Sequence, residues 1–232
     1  SGWKNTVKDG SYNQVFGYQN TSNTNTQSFI SGKNNSLSNN VSSSTFGTDN
    51  TLNTNTNSMF VGDTNSSTSN DYSLVNGKTN NTSSSTGVMV SGLSNTTTSE
   101  TQSLIMGKDN TVSSGTYNTA LGLNNNSNTN TSSFVAGKNN NLENNTTVAV
   151  FGSSHDISVN SVDSLVSGNE NKETTGINNL TYGKTNVSIS SENTVIGGLL
   201  MITGAIMITL EENSEISDWV SSWTNAHSQN YG

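Results

Sequence analysis

The stretch Asn57-Ser58-Met59-Phe60-Val61-Gly62-Asp63-Thr64-Asn65 decides how this chain is read. Its glycine lies fifteen residues after Gly47 and fifteen before Gly77. Each of these glycines has an apolar or β-branched residue two places before it and an asparagine three places after it. The spacing runs through Gly17, Gly32, Gly47, Gly62, Gly77, Gly92, Gly107, Gly122, Gly137 and Gly152. It continues one residue late at Gly168, then Gly183 and Gly198, and Gly2 fits one period upstream. A period held over so many units is the mark of a solenoid.

The asparagines three after the glycines are Asn20, Asn35, Asn50, Asn65, Asn80, Asn95, Asn110, Asn125 and Asn140, with Asn171 and Asn186 beyond them. Gly and Asn reach left-handed backbone angles at low cost, so each Gly-x-x-Asn step predicts a sharp corner. A second corner falls eight after the glycine, at Asn25, Asn40, Asn55, Asn70, Gly115, Asn130, Asn145, Asn160 and Gly176. Short segments with Leu37, Leu52, Val112, Leu142 and Ile157 at their middles lie between the corners. Each unit therefore reads strand, corner, strand, corner. The fold class is all-β, a flattened parallel β-roll of about fifteen-residue coils, with Asn amides stacked from coil to coil. Thirteen coils at roughly 4.8 Å each make a rod of roughly 60 Å.

Composition narrows the rest. About half of the 232 residues are Ser, Thr or Asn; 28% are hydrophobic and 10% charged, and there is no proline. Such polarity commonly signals disorder, but the few apolar residues here keep a phase. The net charge of −8, with no arginine, disfavours nucleic acid. The absence of cysteine removes disulfides, thiol nucleophiles and zinc–thiolate sites. No signal peptide is visible, and the chain reads as a fragment of something longer.

Three and one before each glycine, contents compensate: Phe29 with Ser31, Ser44 with Phe46, Phe134 with Ala136, Ala149 with Phe151. Large meets small, as though a fixed internal space were being filled, so this face is assigned to the interior. The residues two before the glycine then point outward. Val15, Ile30, Val75, Val90, Ile105, Val135, Val150, Val166 and Ile196 form that column. An apolar column facing water along a whole rod calls for a partner, and a closed homo-oligomer with the column on its axis supplies one.

At this point the residues resemble a known family. Asn57-Ser58-Met59-Phe60-Val61-Gly62 looks like the Asn-Ser-Val-Ala-Ile-Gly repeat of YadA-like heads in trimeric autotransporter adhesins. Tyr117-Asn118-Thr119-Ala120-Leu121-Gly122 and Glu192-Asn193-Thr194-Val195-Ile196-Gly197 are variants of it. The resemblance covers about residues 12 to 198. Units here are fifteen residues where the family's are often nearer fourteen, and the family's axial Ala is mostly Val or Ile. It implies a left-handed roll, a parallel homotrimer, and a bacterial adhesin that attaches to a host receptor or extracellular matrix. It also implies a location on the cell surface, anchored to the outer membrane through a C-terminal region outside this fragment. The Asn-rich, Arg-free composition resembles fusobacterial and Veillonella surface adhesins, some of which imply a CEACAM receptor as partner.

Residues 1–198 are read as the head and 199–232 as a terminal coil with a capping or neck helix. In the latter, Ile216, Trp219, Val220 and Trp223 recur at helical spacing. Leu199–Leu210 is too short to span a membrane. Chemistry is sparse. His155 takes an asparagine corner with no second ligand in register, and no carboxylate pair recurs, so the chain is expected to be no enzyme and to hold no metal or cofactor. Acyltransferase solenoids use six-residue rungs, which a fifteen-residue unit does not fit. Lys33, Lys78, Lys108, Lys138 and Lys184 follow their glycines as an edge stripe, and Tyr12, Tyr72 and Tyr117 lie near a corner. The alternatives are an ice-binding solenoid, for which the column seven after the glycine is mixed rather than all Thr, and a glycan-binding solenoid, which wants aromatic platforms and acidic clusters in one groove.

Overall fold

The computed structural model describes residues 1–158, 160–189 and 192–199. They form a parallel β-solenoid of about thirteen turns. Two sheets run its length, one of 14 strands and one of 13, each built from alternate strands of the chain. In the first, a long strand such as Phe29–Lys33 pairs with Ser44–Thr48 in the next coil, glycine against glycine. In the second, a short strand such as Ser36–Ser38 pairs with Thr51–Asn53. No helix occurs among the described residues. The helical segment expected around Ile216–Trp223 lies outside them.

Each coil has three bends rather than two. Left-handed residues stand two, seven and ten places after the glycine, as at Thr64, Ser69 and Tyr72 (φ 56, 57 and 50°). Between the last two bends a single residue bridges to its equivalents, as Thr56 to Asp71 and Asp71 to Thr86. Apart from Asn160 (φ 63°), the corner asparagines are therefore not the left-handed residues themselves. Each follows one, and the bend turns its side chain inward. Many of the left-handed residues are β-branched threonines, for which this geometry costs about 1–2 kcal/mol each. Something inside must offset that.

What offsets it is hydrogen bonding. Asn35, Asn50, Asn65, Asn80, Asn95, Asn110, Asn125 and Asn140 are buried. Each Nδ2 donates to the Oδ1 of the asparagine one coil earlier, at 2.9–3.1 Å. That same Oδ1 also accepts the backbone N–H of the later asparagine, as Asn50 N to Asn35 Oδ1 at 3.1 Å. The second Nδ2 proton reaches a glycine carbonyl of the next coil, as Asn50 to Gly62 at 2.9 Å. A second ladder starts at Asn25, with Asn40 and Asn55 each donating to the preceding Oδ1 at 3.1 Å. Buried serines line the third bend. The glycine column needs its identity too: at Gly62 φ is 124°, and a Cβ would run into the carbonyl oxygen of Gly77.

The core corrects the sequence reading of the two faces. Val15, Ile30, Val75, Val90, Ile105, Val135, Val150 and Val166 lie inside the roll of a single chain. They do not form an outward axis. Ile196 belongs to the same column through its pairing with Thr181 and is half-buried in the last described coil. Their partners across the narrow interior are the middles of the short strands, Leu37, Leu52, Val112, Leu142 and Ile157. The residues three and one before the glycine are the outward ones. The physical reason is spatial: the coil interior is thin and repeats every turn, so it is filled mostly by compact β-branched side chains such as Val and Ile, with Phe60 its aromatic exception. Phenylalanine alternating with serine belongs outside. The one sixteen-residue coil takes up its extra residue at a corner, between Ser158 and Ser161.

Two substitutions test this account. Asn95→Ala deprives the Asn110 N–H of its acceptor and the Gly107 carbonyl of a donor, and lowers unfolding free energy by about 3 kcal/mol in denaturant titration. Thr97→Val removes a buried hydroxyl with no partner at a column where Val112 already fits, and raises stability by about 1 kcal/mol.

Candidate interaction surface

With the coils closed on themselves, the outward side of the 14-stranded sheet carries most of the remaining apolar residues. Met59, Met89, Met106, Phe16, Phe46, Phe151, Leu165 and Tyr182 are each about 40–50% exposed there. The aromatic members make ladders of their own. Phe16–Phe29 and Phe29–Phe46 have ring centroids 5.5 and 5.2 Å apart, and Phe134–Phe151 5.2 Å. The pattern is level by level: where the position three before the glycine is large, the position one before is mostly small, and the reverse. The result is a continuous apolar strip of fairly even thickness.

One edge of the strip is the lysine column. Lys33, Lys78, Lys108, Lys138 and Lys184 end their long strands and are exposed. Lys78 Nζ lies 3.0 Å from Asp63, with both side chains open to water. The Thr64 hydroxyl and Lys78 together hold the Asp63 carboxyl below its ordinary range. Such exposed pairs contribute little to stability. The opposite edge is the third bend, where Tyr12, Tyr72 and Tyr117 project. The 13-stranded sheet presents a different outer face, of Ser, Thr and Asn for most of its length. The column seven after the glycine, weighed above for ordered water, sits on a bend at left-handed angles and not on a flat strand.

Two titratable groups of the interior, His155 and Glu100, are structural. His155 replaces an asparagine in the first ladder and keeps its acceptor for the next main-chain N–H, without the amide-to-amide bond. Its Nδ1 accepts the Asn171 N–H at 3.1 Å, so the proton is on Nε2, which donates to the Phe151 carbonyl at 3.1 Å. Burial pushes this imidazole below its ordinary range, against carbonyl contacts that favour the proton. Glu100 takes an asparagine place in the second ladder. Its carboxylate accepts from Ser103 Oγ (2.8 Å), Asn118 Nδ2 (3.1 Å) and the Gly115 N–H (2.7 Å). Burial raises its carboxyl above the ordinary value. Gly115 is the glycine that leaves room for it. Sequence reading missed Glu100; its place in an asparagine column, one unit before a glycine, was the available signal. Among the described residues no cluster of three or more His, Cys, Asp or Glu could hold a metal ion.

No family model matches this chain, and no curated protein does. A solved structure similar to it is the polySia specific acetyltransferase NeuO, at 12% identity and a TM-score of 0.21, covering 96% of this chain and 91% of that one. This corrects the sequence-based exclusion of catalysis: the similar structure is an enzyme, so that exclusion does not stand. At this TM-score the likeness carries no argument for acetyl transfer either.

The His155 geometry predicts a pH dependence. The unfolded chain binds a proton near pH 6.5 while the folded imidazole resists it. Stability therefore falls as pH drops below that value, and levels off once the folded ring is protonated as well. His155→Asn, which restores the ladder, removes this component. Melting curves of the two proteins converge at neutral pH or favour the variant, and separate further in its favour under mild acid.

Proposed function

We propose that this chain is the head of a bacterial surface adhesin, in which three parallel copies associate along the outward apolar strip and present their polar faces to a host-cell receptor or matrix protein. The observation that carries the reading is the strip itself: an apolar surface running the length of the rod, with its thickness equalised level by level. A strip filled in this way suits association in register, where each level meets itself. An antiparallel mate would set unlike levels together. The seam belongs to the positions three and one before the glycine, including Phe46, Leu104, Met106 and Phe151, and not to the valine–isoleucine column. Strip burial adds a second hydrophobic layer to a roll too thin to bury much alone. The resemblance of Asn57–Gly62 to the YadA-like repeat supports the same arrangement, as does a charge of −8 per chain, which keeps a polar rod dispersed.

Sedimentation equilibrium tests the assembly, and a species of three times the 24.4 kDa chain mass is the expected result. Leu104→Lys shifts it toward monomer, whereas Thr96→Lys on the opposite sheet leaves it intact. A folded monomer at micromolar concentration contradicts the reading. Beads coated with the trimer bind host epithelial membranes, and beads coated with Leu104→Lys bind at least tenfold less.

A further inference from the structure

The third bend carries three tyrosines that folding does not explain. Tyr12, Tyr72 and Tyr117 stand ten places after a glycine, at φ 57, 50 and 58°. Left-handed backbone is costly for an aromatic residue, and the same column elsewhere holds Asn57, Ser42, Gly87 and Asn178, which suit it better. The rings repay little to the fold. They are 85, 64 and 58% exposed. Among the described residues none of the three stacks on another aromatic ring, and none of their hydroxyls has a hydrogen-bond partner. A strained, exposed side chain is more informative about binding than about stability.

Tyr72 and Tyr117 are three coils apart, about 14 Å along the rod at the usual spacing between strands. Gly87 and Gln102 lie between them in the column, and Gly87 places no side chain beside Tyr72, with Gln102 Cγ 3.4 Å from where its Cβ would stand. Beside this trough runs a row of hydroxyls, Thr86, Thr101 and Thr116, continued by Asp71 next to Tyr72. No lysine is in the row; Lys78 and Lys108 are on the far edge of the sheet. Nor is there a free strand edge for a peptide to extend. The Gly87 N–H donates to the Asp71 carbonyl at 2.9 Å, Gln102 to Thr86 at 2.8 Å and Tyr117 to Thr101 at 2.9 Å.

We propose that this trough is a binding site for a neutral oligosaccharide of three or more rings, lying along the rod with its C–H faces on Tyr72 and Tyr117. Its hydroxyls pair with Thr86, Thr101, Gln102 and Asp71. Flat rings with hydroxylated rims match two aromatic pillars joined by a polar wall of hydroxyls, one amide and one carboxylate that carries no cation. An anionic glycan lacks a cation here, and a peptide lacks main-chain partners. The site is contained in one chain, along the edge of the apolar strip.

The test is a glycan array probed with the full chain, followed by titration of the best ligand. The expected result is binding to neutral oligosaccharides that falls at least tenfold in Tyr72→Asn and in Tyr117→Asn, and is unchanged in Tyr12→Asn. Asparagine suits the left-handed bend, so the variants melt at the same temperature as the parent or higher, which separates lost binding from lost fold. The proposal is overturned if no neutral oligosaccharide binds, if the Tyr72 and Tyr117 variants bind as well as the parent, or if only anionic glycans are retained. It is likewise overturned if a host glycoprotein is held through these tyrosines equally well after its glycans are removed.

Discussion

The structure depends on hydrogen bonds between amides one coil apart. Fifteen residues must turn three times within each coil, and the turns use left-handed backbone that threonine, glutamine and aspartate adopt at a cost. Each turn also leaves main-chain groups inside, where water does not reach them. An inward asparagine solves both problems: its Oδ1 accepts the main-chain N–H of the coil after it, and its Nδ2 donates to the coil before and to the glycine carbonyl after. A polar composition that would leave another chain unfolded is here the means of closing the coil. The exceptions obey the same requirement. His155 and Glu100 occupy asparagine places with different chemistry, and each offers acceptors where an Oδ1 would be.

Much of this was legible in the sequence, for a physical reason. A solenoid repeats its environment every turn, so a constraint on one residue becomes a column, and columns such as Gly62–Gly77–Gly92 and Asn65–Asn80–Asn95 survive any local noise. The two strands, the corners at the inward asparagines and the level-by-level compensation beside the glycines could all be read that way. Which face lay inside could not. Both faces of the long strand carry apolar residues, and alternation alone does not say which is enclosed. Variation in size reads, from the sequence, as the sign of a filled interior. It is the opposite sign. The enclosed column is mostly valine and isoleucine, with departures such as Thr45, Phe60 and Ala120, and the Phe29/Ser31 and Ser44/Phe46 alternation lies on the surface. The third bend was hidden because its left-handed residues are Gln27, Ser42, Asn57 and Tyr72, a set with no shared identity.

This reversal changes what is available for recognition. With the valine column enclosed, every coil is complete within one chain, and the surfaces that remain differ sharply in kind. One long face is apolar and suited to another copy of the same rod. The opposite sheet is hydroxyl- and amide-covered for most of its length and nearly uniform. The narrow third side breaks that uniformity, because the tyrosines stand there at a backbone angle that does not favour them. Selective binding to such a rod rests on local departures from the repeat, since the repeat itself offers every coil the same surface.

The most direct test of the amide ladder is residue-resolved hydrogen exchange of the backbone N–H groups of Asn35, Asn50, Asn65, Asn80, Asn95, Asn110, Asn125 and Asn140, each of which donates to a side-chain oxygen rather than to a carbonyl. Exchange as slow as that of the strand centres Val75, Val90 and Ile105, opening only with the whole rod, is the predicted result. Fast exchange at these asparagines while the strand centres stay protected would contradict it.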